Sequence, residues 1–224
     1  MKPLPKRAIA AHYLPSRYHY YYALSKLAMD PIYAGVRGIF DITQAPLLDV
    51  GCGIGLLPQC LRASGFDIDY RGFDIDAAKI DIARSAAAQG GLARARFEVV
   101  DLAREFPDHS GSVALLDVMQ YLEVNVRDEL LARASRCISP AGRLIIRAGI
   151  DDGSWRASLT RAADKLGHAV RWMATPPRSQ PTREDIVAML AAHGLSSEFQ
   201  PLSGTTPFNN WLVLGRRMKR SEGS

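Results

Sequence analysis

The sequence has 224 residues, 47% apolar and 23% charged, a size and balance that give one domain with a full hydrophobic core and exclude disorder as the main state. Lys and Arg outnumber Asp and Glu by 28 to 23, but Lys2, Lys6 and Arg7 at one end, and Arg216, Arg217, Lys219 and Arg220 against Glu222 at the other, leave the body at −1, which argues against a basic nucleic-acid groove. No run approaches the ~18 apolar residues that span a bilayer, prolines 3, 5 and 15 interrupt the start where a signal peptide needs an apolar stretch, and Cys52, Cys60 and Cys137 show neither framework nor metal-ligand spacing, so a cytoplasmic protein without a metal site is expected.

Residues 1–45 form a segment of their own. Five of the eight tyrosines precede residue 23: Tyr13, Tyr18, Tyr20, Tyr21 and Tyr22. The spacing predicts a helix over Arg17 to Met29, with Tyr20, Leu24 and Leu27 on one face. Asp30-Pro31 then reads as an N-cap with proline at the first helical position, opening a second helix through Phe40. The segment is an aromatic helical cap, and its rings suit the wall of a pocket for a flat or lipophilic ligand as well as packing on a sheet.

From residue 46 onward strand-like and helical runs alternate, the signature of parallel βαβ units. Strands are expected at Leu47–Val50, Asp69–Phe73, Arg96–Val100, Ser112–Val118 and Arg143–Ala148. Helices are expected at Leu56–Ser64, Ala77–Ala88 and Val126–Ile138. Beyond Ile150 the period changes, and residues 151–181 read as an insertion with amphipathic helix over Trp155–Trp172. Thr182 and Asp185 form a capping-box spacing for a last helix that Gly194 ends. Glu198–Leu202 and Asn210–Gly215 read as a closing antiparallel hairpin.

Leu47-Leu48-Asp49-Val50-Gly51-Cys52-Gly53-Ile54-Gly55 is a strand, a glycine turn and a helix start. Glycines allow tight backbone there and close approach of a ligand to a helix N-terminus. A dinucleotide fingerprint requires glycine at position 56, which is Leu56, so a nicotinamide oxidoreductase is disfavoured. Asp49, just before the turn, suits a cationic ligand group better than a phosphate.

Here the chain resembles the class I S-adenosylmethionine-dependent methyltransferases, from about Pro46 to Gly215. Four landmarks carry the resemblance: the glycine turn, Arg71-Gly72-Phe73-Asp74-Ile75-Asp76, Phe97-Glu98-Val99-Val100-Asp101-Leu102, and Leu115-Leu116-Asp117-Val118-Met119-Gln120-Tyr121-Leu122. The resemblance implies a Rossmann-like α/β fold with a mostly parallel seven-stranded sheet, an antiparallel C-terminal hairpin and an N-terminal helical cap, over a domain at 46–224. It implies S-adenosylmethionine as cofactor. Asp49, Gly51, Cys52, Gly53 and Gly55 would form its turn, Asp74 with Ile75 beside it would meet the ribose, Asp101 and Leu102 the adenine, and Asp117 would face the methyl group. Many small-molecule members carry a histidine after the fourth-strand acid; Gln120 stands there and cannot titrate. A base must lie elsewhere or be unnecessary. His19 is the histidine candidate, and Tyr121 is the other catalytic candidate.

Segments typical of nucleic-acid amine methylation ([DNS]-P-P-[YF]) or pyrimidine C5 methylation (a cysteine after proline) are missing, so no nucleic-acid acceptor is expected. The aromatic cap, Trp155, Arg156, Arg161, Arg171 and Trp172 in the insertion, and Thr206-Pro207-Phe208-Asn209-Asn210-Trp211 look similar to the methyltransferases encoded with bacterial aryl polyene and xanthomonadin-type pigment clusters. That implies a small or acyl-carrier-bound, phenolic or aryl-polyene acceptor in secondary metabolism. RNA or protein methylation and a non-catalytic cofactor-binding protein stay open. The basic ends could give weak peripheral contact with anionic lipid, though solvated ends are the simpler reading. The oligomeric state is not fixed by the sequence.

Overall fold

The computed structural model describes residues 3–40, 44–102, 104–116, 118–119, 122–150, 181–202 and 209–218. Three helices precede the first strand: α1 (Lys6–Ala11), α2 (Arg17–Met29) and α3 (Pro31–Phe40). The first of these was not expected, because KRAIAA is a single short stretch with no side-chain N-cap. Ser16 caps α2 by accepting from the His19 amide at 3.4 Å. The face that α2 buries runs through Ala23 and Leu27, while Tyr20 and Leu24 are half-buried. Asp30 ends α2 and starts α3: its Oδ1 accepts from the Ile32 amide at 3.1 Å and its Oδ2 lies 3.5 Å from Lys26 Nζ.

Then follow β1 (Leu47–Val50), α4 (Leu56–Ala63), β2 (Tyr70–Asp74), α5 (Ala77–Gln89), β3 (Ala95–Val99), β4 (Ser112–Leu116), α6 (Val124–Arg136), β5 (Leu144–Gly149), α7 (Arg183–Ala192), β6 (Leu195–Pro201) and β7 (Asn210–Arg217). The strands make one seven-stranded mixed sheet of order β3-β2-β1-β4-β5-β7-β6. This is the expected Rossmann-like architecture, parallel in its pairings apart from those of β7, which runs antiparallel to both of its neighbours, β5 and β6.

Two compact units divide the described residues, one up to His109 and one from Ser110 on. In the first, β1 pairs with β2 and β2 with β3, both parallel. Every residue of β1 is buried, as expected for a parallel strand covered on both faces. Helix α5 packs on β2 and β3, and α1 and α3 pack on α4. Ile9, Ala10 and Tyr13 are buried at 2%, 0% and 4% exposure, so the start of the chain is part of this unit's core.

In the second unit β4 and β5 pair in parallel, and β7 pairs antiparallel with both β5 and β6. The glycine of the turn before β5 is required: a Cβ on Gly142 would sit 1.9 Å from the Gly111 carbonyl oxygen. Helix α6 lies two residues earlier than its sequence pattern indicates, and β6 begins at Leu195 and not at Glu198, because its first residues pair with Arg217, Arg216 and Gly215 of β7. The capping box at α7 is complete: Asp185 N donates to Thr182 Oγ1 at 3.1 Å and Thr182 N to Asp185 Oδ2 at 2.9 Å. Among the described residues no helix is long and apolar enough to cross a membrane, and no group of three His, Cys, Asp or Glu could hold a metal ion. The expected insertion, 151–181, lies outside the described residues except for Pro181.

Candidate functional site

Strand parity builds the site in the first unit. The register pairs Leu47 with Tyr70 and Asp49 with Gly72, and then Tyr70 with Ala95, Gly72 with Phe97 and Asp74 with Val99. Side chains alternate along each strand, so Asp49, Tyr70, Gly72, Asp74 and Phe97 share one face. Their ring contacts agree, Tyr70 and Phe97 tilting together with centroids 5.6 Å apart.

The turn after β1 carries three glycines in the left-handed region, Gly51 (φ 76°), Gly53 (φ 56°) and Gly55 (φ 73°). Gly55 is also fixed by space: a Cβ there would meet the Phe97 ring at 2.9 Å and Ala83 Cβ at 3.0 Å. Gly53 faces open space, with nothing within 4 Å of a Cβ built on it. The amides of Gly51 and Cys52 donate to the Phe73 carbonyl at 2.7 and 2.8 Å, that of Gly53 to Asp74 Oδ2 at 3.0 Å, and that of Gly55 to the Cys52 carbonyl at 3.1 Å. Four of the five amides from Gly51 to Gly55 are thus used within the protein, which leaves the turn poor in donors for a phosphate.

Its acceptors are different. Asp49 is buried, at 2% exposure; Tyr70, equally buried, donates its hydroxyl to Asp49 Oδ2 at 2.5 Å. Asp49 Oδ1 is buried and has no hydrogen-bond partner. Burial pushes the Asp49 carboxyl up to about 7, with the Asp74 charge adding and the Tyr70 hydrogen bond opposing. Burial also raises the Tyr70 hydroxyl well above the usual phenol range, so it remains a donor. Asp74 Oδ1 accepts from the Asp76 amide at 3.0 Å, so each Asp74 oxygen takes one backbone bond and keeps a lone pair for another donor. Beside it Ile75 (68%) and Val99 (49%) offer exposed apolar surface at the ends of β2 and β3. Asp76 has another task, accepting from Ala78 and Lys79 to cap α5.

The structure therefore ties Gly51, Cys52, Gly53 and Gly55 to the Phe73–Asp74 end of β2 or to one another by hydrogen bonds, with Asp49 under Tyr70 on the same sheet face as Asp74 and Ile75 exposed beside Asp74. Cys52 is half-buried, its thiol raised by burial and by the charges of Asp49 and Asp74. Asp101 follows β3, its carbonyl accepting from Arg104 and Glu105 at 2.9 and 3.0 Å and its Oδ2 lying 3.4 Å from Arg104 Nε; Leu102 is half-buried in the same turn. His19 is half-exposed on α2, where its ring meets the edge of Tyr18 at 5.2 Å. Asp117, Gln120 and Tyr121 lie outside the described residues. Sequence reasoning missed Tyr70, which reads from the chain only as a strand residue and meets Asp49 through the register of β1 on β2. It also missed Tyr13, which appears there as one more aromatic of the cap and whose hydroxyl donates to the Ile54 carbonyl at 3.2 Å.

Residues 47–142 match the family described as a methyltransferase domain. Among solved structures the chain is similar to the mitomycin 7-O-methyltransferase MmcR (20% identity, TM-score 0.68, 92% of this chain and 59% of that one). It is similar to the magnesium protoporphyrin IX methyltransferase ChlM from Synechocystis PCC 6803 with bound SAH (18%, 0.63, 84% and 80%). It is also similar to NcsB1, an O-methyltransferase from neocarzinostatin biosynthesis in complex with S-adenosyl-L-homocysteine and 1,4-dihydroxy-2-naphthoic acid (17%, 0.65, 92% and 59%). At these identities the likeness establishes the fold, and the chain spans about three fifths of the length of two of the three.

Proposed function

We propose that the chain is an S-adenosylmethionine-dependent methyltransferase acting on a small or carrier-bound aromatic acceptor. The observation that carries the reading is the chemistry of the glycine turn: four of its five amides are used within the protein and its buried acid keeps an unpartnered oxygen. Such a site takes cations and hydroxyls, not a pyrophosphate, and so fits an amino-acid ammonium and a ribose.

Asp49 would hold the ammonium end, directly or through water, and Asp74 the ribose hydroxyls, with the exposed face of Ile75 and Val99 available to an apolar ring. Asp101 and Leu102 are proposed for the adenine. When bound, S-adenosylmethionine supplies an activated methyl group. The protein's part is then to bind, to orient the acceptor and to exclude water, and orientation accounts for much of the rate. A phenol additionally loses its proton to a base, for which His19 and Tyr121 are the proposed groups. An aromatic acceptor is favoured by the tyrosine-rich start of the chain, where Tyr18 and Tyr21 are 60% and 56% exposed. The neighbours that act on mitomycin and magnesium protoporphyrin IX, or hold a dihydroxynaphthoic acid, are consistent with it. A phenolic or aryl-polyene intermediate of bacterial secondary metabolism is the narrower proposal.

Calorimetry and thermal melts test the cofactor half. S-adenosylhomocysteine at 100 times its Kd is expected to add about 2.7 kcal/mol, roughly 5 to 11 °C in Tm for a chain of this size, and NADH none. In the same titration Asp74→Ala is expected to lose on the order of tenfold in affinity and Asp76→Ala little. Equal loss in both variants, or a comparable shift with NADH, contradicts the assignment.

A further inference from the structure

We infer that Tyr13 is a positioning residue that holds the glycine turn in its ligand-ready shape from outside the site. The inference rests on reading that turn as the cofactor site. Three glycines at positive φ give the turn a wide choice of backbone states, and choosing one of them costs conformational entropy. Between Gly53 and Gly55 lies Ile54, whose carbonyl accepts from the Tyr13 hydroxyl at 3.2 Å. Tyr13 is 4% exposed, so water offers little competition for that bond. Burial also raises the phenol well above its usual range, which keeps the proton on the donor.

The donor is itself anchored independently of the turn. His12 Nδ1 lies 2.8 Å from Gln59 Oε1, and Gln59, buried in α4, donates through Nε2 to the Ala86 carbonyl of α5 at 2.9 Å. On the other side of Tyr13, the Leu14 carbonyl accepts from Gln89 Nε2 at 2.8 Å. The network is closely packed: a Cβ on Gly90 would lie 2.5 Å from Gln59 Oε1 and 2.9 Å from His12 Nδ1. Residues 12–14 thus form a strap fixed to α4 and α5, and the one hydroxyl between its two anchors grips the turn. The strap gives the start of the chain a part in ligand affinity although Tyr13 need not touch the ligand.

The test uses the full chain with Tyr13→Phe, which keeps the ring and removes only the hydroxyl, and with Ser25→Ala, at an exposed position of α2 outside this network, as a control. Hydrogen exchange of the amides from Gly51 to Leu57 in the free protein is expected to accelerate severalfold in Tyr13→Phe and to stay unchanged in Ser25→Ala. The Kd for S-adenosylhomocysteine is expected to rise about fivefold in Tyr13→Phe, the worth of one net hydrogen bond, with kcat at saturating cofactor within twofold of wild type. Unchanged exchange in Tyr13→Phe overturns the inference whether or not any ligand binds. Unchanged Kd in Tyr13→Phe, with a wild type that binds, overturns it as well. A wild type that binds no S-adenosylhomocysteine overturns the reading of the site instead, and exchange then decides the role of Tyr13.

Discussion

Asp49 shows how one residue's chemistry is set by its surroundings. Its carboxyl, raised to about 7 by burial, is mostly neutral at pH 6 and mostly ionised at pH 8, and an ammonium ligand favours the ionised form. Affinity for S-adenosylhomocysteine is therefore expected to rise between pH 6 and pH 8, by up to about tenfold. Calorimetry across that range should show the slope in wild type and its loss in Asp49→Asn. Stability of the free protein has the opposite sign. A carboxyl whose folded pKa lies above its ordinary value of 3.8 stabilises the fold below about pH 4, and that contribution is lost as pH rises through about 7. Asp49→Asn is expected to raise the Tm of the free protein at pH 8 relative to wild type and to do so less at pH 5. That an acid precedes a glycine turn is legible in the chain. That this acid is buried under Tyr70 is not, because the two meet only through the pairing of β1 with β2.

Elements were legible where local chemistry decides them. Thr182 and Asp185 spell a capping box, and the structure contains it. Thr182→Ala is expected to cost about 1 kcal/mol, lowering Tm by roughly 2 to 4 °C in a thermal melt, with cofactor affinity unchanged. Asp30-Pro31 likewise announces a helix start that the Asp30 side chain completes. Elements that depend on a partner were read poorly. KRAIAA has neither the length nor the caps for an isolated helix, and α1 exists because Ile9, Ala10 and Tyr13 are buried in the first unit's core. Leu195–Ser197 carries a single apolar residue, and its strand conformation comes from the ladder with Arg217, Arg216 and Gly215.

For the molecule as a whole, charge placement separates the candidate acceptors. The positive excess sits at the two ends of the chain and the body is near neutral, so RNA should engage few phosphates. RNA affinity measured by fluorescence anisotropy between 50 and 200 mM salt is expected to be weak and to fall with a shallow slope, about two to three released counterions or fewer, while phenolic acceptors are turned over. A steep slope with RNA methylation would favour the macromolecular alternative. The sequence by itself determined the order along the chain of the described strands and helices from residue 46, the turn and the acid before it, and the acid that follows at the end of β2. These depend on residues close in the chain, where apolar period, glycine freedom and capping act locally. Only the tertiary structure decided that Tyr70 covers Asp49, that the turn spends its amides on Phe73, Asp74 and Cys52, and that Tyr13 reaches Ile54. Apart from the contact inside the turn, these join residues some 20 to 40 positions apart in the chain, and such pairs are brought together by strand register and helix packing, which no local pattern encodes.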